Sequence, residues 1–177
     1  MEISVISIVE STSVDGPGLR TTVYCAGCGH RCKGCHNPLS WDINSGTLTD
    51  VTILADRLLS TGEDITFSGG DPMFQVEAFA ELANIIKSKS KRNIWCYTGY
   101  KIEQLLKSPK ALALLKNIDV LVDGQFELAL RDENLLFRGS SNQRLIDVKK
   151  TLEKGEVVIY EPMNLLSPLL MKYKINA

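Results

Sequence analysis

Three cysteines fall within eight residues, in the order Cys28-Gly-His-Arg-Cys32-Lys-Gly-Cys35. Thiolates this close together can wrap one metal centre. A cubane iron–sulfur cluster has four irons, each usually taking one cysteine thiolate. Three ligands therefore leave one iron open, able to bind a substrate's amino and carboxylate groups and pass it an electron. The loop glycines allow a tight wrap and offer backbone N–H groups to the cluster sulfurs. Structural zinc is the competing reading: Cys25 would complete a set of four, and structural zinc favours four closed ligands. Zinc knuckles, however, usually come as two separated pairs. Cys25 also shares strand parity with Val23, which suits a core position. His30 is read as a loop-surface residue or a support behind the ligands, with zinc ligation as its alternative.

The elements that would position this loop alternate between strand and helix periods. Residues 20–25, rich in Thr and Val, predict a strand, followed by a Gly- and Cys-rich loop over 26–46. Val51, Leu54, Ala55, Leu58 and Leu59 mark one helix face; Val76, Phe79, Ala80 and Ala83 mark another. Strands are predicted over 65–68, 93–97 and 120–122, with a helix over 102–115 broken at Pro109. Further strands are expected over 135–138, 145–148 and 157–160, and a short irregular or helical cap over 161–177. Alternating strands and helices imply βα units and a parallel sheet. An eight-stranded barrel typically needs about 250 residues. The 177-residue chain therefore predicts an α/β fold, a partial (open) βα barrel of about six mostly parallel strands in one domain over 1–177.

The remaining unusual residues follow these strands. Gly69-Gly70-Asp71 follows the second, Thr98-Gly99-Tyr100 the third and Asp123-Gly124 the fourth. Ligands bind beyond the carboxyl ends of parallel strands, so all these segments and the cysteine loop are expected on one rim.

A net charge of −1 gives no basic field to draw the chain to nucleic acid or acidic membranes. No stretch approaches the roughly 18 consecutive apolar residues of a membrane span. The first residues, MEISVISIVES, lack a basic leader. The expectation is a cytoplasmic protein with reduced thiols.

The spacing Cys-x3-Cys-x2-Cys after a first strand, with Gly-Gly-Asp after a second, resembles the radical S-adenosylmethionine superfamily. Asp15-Gly16-Pro17-Gly18-Leu19-Arg20 resembles the entry segment of glycyl radical enzyme activases. Gly34-Cys35-His36-Asn37, Trp41, Ser68 to Pro72, Trp95 to Tyr100, Val122-Asp123-Gly124 and Phe137-Arg138-Gly139-Ser140-Ser141-Asn142-Gln143 are similar to the activases of anaerobic (class III) ribonucleoside-triphosphate reductases. The likeness covers residues 10–150.

The resemblance implies a [4Fe-4S] cluster on Cys28, Cys32 and Cys35, and reductive cleavage of S-adenosylmethionine to a 5′-deoxyadenosyl radical. That radical would take a hydrogen from a glycine of the reductase. A flavodoxin or ferredoxin-type donor would supply the electron. The resemblance also implies residue roles. Ser68, Gly69 and Gly70 would hold the methionine amino group. Asp71 would accept a hydrogen bond there, its alternative being the N-cap before Pro72. Thr98 and Asp123 would touch the cofactor from the rim, although Asp123 is equally a turn former with Gly124. Tyr97 and Gln125 stand where relatives carry an acid and a base; Arg138 would then supply the charge for the carboxylate. His36 and Asn37 would contact adenine or ribose. Asp15, Gly16, Pro17 and Gly18 would lie near the partner's glycine-bearing loop, their alternative being an ordinary Gly/Pro turn. Trp41, Trp95 and Tyr100 are read as packing aromatics, and Cys96 as a core thiol.

Competing functions are a small-molecule enzyme of the 7-deazaguanine pathway, an activase of another glycyl radical enzyme, and a zinc-stabilised interaction module.

Overall fold

The computed structural model describes residues 1–162. The strands are β1 (Glu2–Thr12), β2 (Arg20–Cys25), β3 (Thr47–Asp50), β4 (Asp64–Gly69), β5 (Ile94–Tyr97), β6 (Val120–Asp123) and β7 (Arg144–Asp147). The helices are α1 (Val51–Ser60), α2 (Val76–Lys89), α3 (Ile102–Leu105), α4 (Pro109–Leu115) and α5 (Val148–Lys154). The strands form one seven-stranded sheet in the order β3-β1-β2-β4-β5-β6-β7. β2, β4, β5 and β6 pair in parallel. β1 runs antiparallel to both β2 and β3, and β7 antiparallel to β6. Five of the seven strands therefore point the same way, all but β1 and β7. The two edge strands do not pair with each other, so the sheet is open.

Period-2 alternation sorts the side chains onto two faces. Val23, Cys25, Ile65, Phe67, Ile94, Cys96, Leu121 and Ile146 pack under the helices, against Leu54, Phe79, Leu82 and Leu114. The other face carries Trp95, Val120, Val122 and Leu145, with Tyr97, Phe137 and Tyr160 packed on them. Arg20 lies fully buried, its Nε donating to Thr66 Oγ1 (2.8 Å) and its Nη2 to Ile65 O (2.6 Å), with the guanidinium over the Trp95 ring at 5.4 Å. Thr66 in turn donates to the backbone oxygen of Asp15 (2.9 Å). The segment between β1 and β2 is thereby laid across this second face.

The sheet has features that the strand and helix periods of the sequence did not predict. β1 is an addition, and its Ile3 and Val5 are core residues. β3 is another, four largely exposed residues paired to β1. Residues 135–138, expected as a strand, form turns: Phe137 takes a left-handed backbone (φ 59°) and Leu136 is exposed. The strand expected over 145–148 begins at Arg144 and ends at Asp147, because the Asp147 side chain caps α5. Over 157–160 there is one isolated bridge, Ile159 to Ile146. The cap expected over 161–177 lies outside the described residues beyond Pro162. Among the described residues, no helix is long and apolar enough to cross a membrane.

Asp123 closes β6 on the helical side. Its Oδ1 accepts from Arg144 Nε (2.9 Å); its Oδ2 accepts from Arg144 Nη2 (2.6 Å) and Ile102 N (2.8 Å). Arg144 also grips both oxygens of Glu103, at 2.9 and 2.8 Å. Asp123→Ala leaves the Ile102 N–H unpaired and Arg144 half-matched, so urea unfolding is expected to show a loss of about 2–4 kcal/mol; a change below about 0.5 kcal/mol, as at an ordinary surface site, would contradict this. Arg144 hydrogen bonds hold the Glu103 carboxyl down, from 4.5 to about 2. A folded-state value below the unfolded one gives stability that is complete above the ordinary carboxylate range and is lost as the pH falls toward 2. Urea midpoints of Glu103→Gln should therefore decline less than those of the parent protein between pH 5 and pH 3; parallel declines would remove Glu103 from the network.

Candidate active site

The cysteine loop is set down on the end of β4 by backbone contact. Gly70 N donates to Cys25 O (2.7 Å) and Asp71 N to Gly27 O (2.8 Å). A Cβ at Gly69 would stand 2.3 Å from Cys25 N, and one at Gly70 would stand 2.5 Å from Gly27 O. Only glycine lets these two chain segments touch, and Gly69 also has a positive φ of 104°. From there Gly27 N donates to Ser40 O (2.8 Å) and Cys28 N to Trp41 O (3.1 Å). Gln75 fastens the same stretch by donating to Ala26 O (2.9 Å) and Ser4 O (3.1 Å).

Beyond the carboxyl ends of β2, β4 and β5 lies a cavity of ≈ 440 Å³, within the size range of small-molecule sites. Its wall includes Cys28, Cys32, Cys35, His36, Asn37, Ser68, Gly69, Gly70, Asp71, Thr98, Arg138 and Asp15, all singled out from the sequence. Tyr24 donates to the Asp15 carboxylate, holding it at the cavity edge. Gly16 packs against Arg20 and Trp95, whereas Gly18 faces open space, and neither Gly16, Pro17 nor Gly18 lines the cavity. Asp123 does not line it either. It shares parity with Leu121, so its carboxylate faces α3 and is spent on Arg144 and Ile102.

Asp71 faces the cavity region but has few lone pairs to spare. Its Oδ1 accepts from Met73 N (2.9 Å), the N-cap bond of the turn Pro72–Gln75. Its Oδ2 accepts from Thr98 Oγ1 (3.0 Å) and Gly99 N (3.0 Å) and lies 2.9 Å from His30 Nε2. The capping role is thus realised, and the carboxylate also joins three segments of the rim.

Residues 138–143 fold back on the loop after β6. Gln143 Oε1 accepts from Gly139 N (2.8 Å) and Ser140 N (3.2 Å), while its Nε2 donates to Gly124 O (3.0 Å). Asn142 donates to Gln125 O (2.8 Å). This fold delivers Arg138 to the cavity with its Nη1 on Gln143 O (3.2 Å) and its buried Nε without a partner among the described residues. His36 stacks at a tilt on Phe126, 5.1 Å between centroids. Tyr24 and Phe126 also line the cavity and were not singled out from the sequence; Tyr97, Phe137 and Gln143, named there within the resembling motifs but given no binding role, line it too. Strand parity marks Tyr24 and Tyr97, which share a face with Arg20 and Trp95. Nothing local marks Phe126, which arrives through the loop after β6.

The three loop thiols are half-buried on one wall, and all five cysteines are free. Burial pushes the Cys28 and Cys32 thiols up. Backbone N–H groups of His30 and Arg31 aimed at Cys28, and of Phe126 aimed at Cys32, act the other way and favour thiolate. Among the described residues, no three His, Cys, Asp or Glu side chains are spaced to hold one metal ion. Cys25 is buried in the core beneath the helices, on the opposite face from the cavity, so it does not complete a four-thiolate zinc site. Three thiols, two of them with N–H donors aimed at sulfur, beside a glycine-lined backbone cradle, suit a cluster held by three protein ligands.

A family model described as a 4Fe-4S single cluster domain matches residues 14–146. The chain is 36% identical over 140 residues to the anaerobic ribonucleoside-triphosphate reductase-activating protein of Haemophilus influenzae, covering 73% of this chain and 88% of that one. It is 37% identical over 139 residues to the protein of that name from Enterobacteria phage T4, covering 75% and 86%. The corresponding protein of Escherichia coli (strain K12) is 36% identical over 140 residues, covering 73% and 89%. With the cysteine wall, the glycine cradle and these matches in place, the chain belongs to the 4Fe-4S single cluster family, in the branch of the anaerobic ribonucleoside-triphosphate reductase-activating proteins.

Proposed function

We propose that this chain binds a [4Fe-4S] cluster through Cys28, Cys32 and Cys35, binds S-adenosylmethionine beside it, and installs a glycyl radical on an anaerobic ribonucleoside-triphosphate reductase. The observation that carries this reading is the sharing of one cavity by the three thiols and the Gly69–Gly70 backbone. When bound and reduced, such a cluster would supply the one electron that cleaves the sulfonium's bond to the adenosyl carbon, giving methionine and a 5′-deoxyadenosyl radical.

The chain's own residues bind, orient and exclude. Cys28, Cys32 and Cys35 would hold the cluster with three thiolates and leave one of its four irons without a protein ligand. The strand-end backbone at Ser68, Gly69 and Gly70, which lines the cavity, receives the methionine ammonium. Arg138, which lines the cavity, supplies the positive charge for the carboxylate. Asp71 and Thr98 support this cradle from behind through their mutual hydrogen bond. His36, on Phe126, and Asn37 flank the adenosine. Tyr24, Tyr97 and Phe137 make a wall that keeps water from the reacting atoms. Asp15 at the edge, followed by Gly16, Pro17 and Gly18, meets the reductase's glycine-bearing loop. Asp123 acts at a distance, by fixing α3 and Arg144 against the loop after β6.

The open sheet, with its cavity at the carboxyl ends of parallel strands, supports the partial barrel of a radical S-adenosylmethionine core. Reduction by a flavodoxin or ferredoxin-type carrier completes the scheme. Five free thiols and an oxygen-sensitive cluster suit the cytoplasm.

Protein purified without oxygen, reconstituted with iron and sulfide and then reduced is expected to convert S-adenosylmethionine to 5′-deoxyadenosine. Cys32→Ala is expected to lose this entirely. Addition of a class III reductase should yield a glycyl radical signal in electron paramagnetic resonance. Colourless protein holding zinc and forming no 5′-deoxyadenosine would overturn the assignment.

A further inference from the structure

His30 sits midway between Cys28 and Cys32 and is nearly buried, with 9% of its side chain exposed. Its pocket is assembled from three rim loops that lie far apart in sequence. Asp71 Oδ2, after β4, is 2.9 Å from Nε2. The Gln125 amide Nε2, after β6, is 2.9 Å from Nδ1. Tyr100, after β5, meets the ring edge-on at 4.5 Å. A carboxylate can only accept, so Nε2 carries the proton. An amide nitrogen can only donate, so Nδ1 accepts from Gln125, and one neutral tautomer satisfies both. Gly99 completes the pocket: a Cβ there would stand 2.4 Å from His30 Cδ2 and 2.6 Å from its Nε2. The imidazole therefore fits only because Gly99 has no side chain.

We propose that His30 is a positioning residue: it locks the thiol-bearing loop to the cofactor-binding rim, so that the cysteines and the Gly69–Gly70 backbone keep one fixed separation. Asp71 makes this possible. The same oxygen that receives His30 also receives Thr98 Oγ1 and Gly99 N, and Asp71 N is bonded to Gly27 O, at the start of the cysteine loop. A shift of the loop relative to the rim would have to break the His30 bond and leave a buried carboxylate oxygen one donor short. This role rests on Cys28, Cys32 and Cys35 holding the cluster, as proposed above.

Two measurements test it on His30→Ala, His30→Gln and Gly99→Ala. Glutamine can place its Nε2 where the imidazole Nε2 stands, so it should restore the bond to Asp71. In cofactor-free protein, hydrogen exchange of the loop amides should rise about tenfold or more in His30→Ala and Gly99→Ala, stay near the parent value in His30→Gln, and leave the sheet unchanged. In reduced, reconstituted protein, the change in the cluster's electron paramagnetic resonance spectrum on adding S-adenosylmethionine reports binding. His30→Ala should keep its iron yet need roughly ten to a hundred times more S-adenosylmethionine, the equivalent of one lost hydrogen bond to a charged group, while His30→Gln stays within about threefold. Gly99→Ala, which displaces the ring without altering the loop sequence, decides the matter if His30→Ala takes up no iron. Parent-like exchange and parent-like titration in either His30→Ala or Gly99→Ala would overturn the role. A parent protein that binds no cluster would instead remove the functional reading beneath it.

Discussion

The carboxylate of Asp71 is the fixed point of the site. It is 2% exposed, and among the described residues it has no Lys or Arg partner. A buried anion without a cation is costly unless its oxygens are saturated by donors. Here the donors come from the turn after β4, the end of β5 and the cysteine loop. These segments follow β4, β5 and β2, three adjacent strands of the sheet that lie far apart in sequence. Their convergence on one side chain makes the rim a single unit, and the desolvated charge penalises any departure from it.

Backbone proximity makes the same demand. The β4 end and residues 25–27 touch closely enough to forbid a Cβ at Gly69 or Gly70. These glycines therefore serve two purposes that are hard to separate by mutation. They seat the cysteine loop, and they leave bare peptide groups facing the cavity. The sheet then decides which side chains join them. Even-numbered residues of β2 and β4 and odd-numbered residues of β5 look toward the cavity face, while their alternates fill the helical core. Cys25 and Cys96 fall on the core side by that rule, and so are separated from the three loop thiols despite the shared chemistry.

Much of this was legible in the sequence, for identifiable reasons. The βα alternation follows from hydrophobic period, and the rim placement of residues 28–35, 69–71 and 98–100 follows from their position after strands. Where the reading fell short, the information was not local. β1 is marked by Ile3, Val5 and Ile8, but its antiparallel pairing with β2 and β3 depends on distant segments. Residues 135–138 have strand-like composition, yet Phe137 turns left-handed so that its ring can meet Trp95 at 5.3 Å. Asp123 ends a strand as a rim residue should, but one step of register turns it to the helical side. The partners of His30 could not be read at all, since Asp71, Gly99 and Gln125 meet it only in three dimensions.

In the proposed function, three cysteines hold a four-iron cluster and leave one iron for S-adenosylmethionine. Mössbauer spectroscopy of protein reconstituted with ⁵⁷Fe, recorded before and after adding S-adenosylmethionine, addresses it directly. One iron of four is expected to change its parameters on addition, while the other three do not. Irons that all remain unchanged, or a protein that takes up no cluster iron, would contradict it.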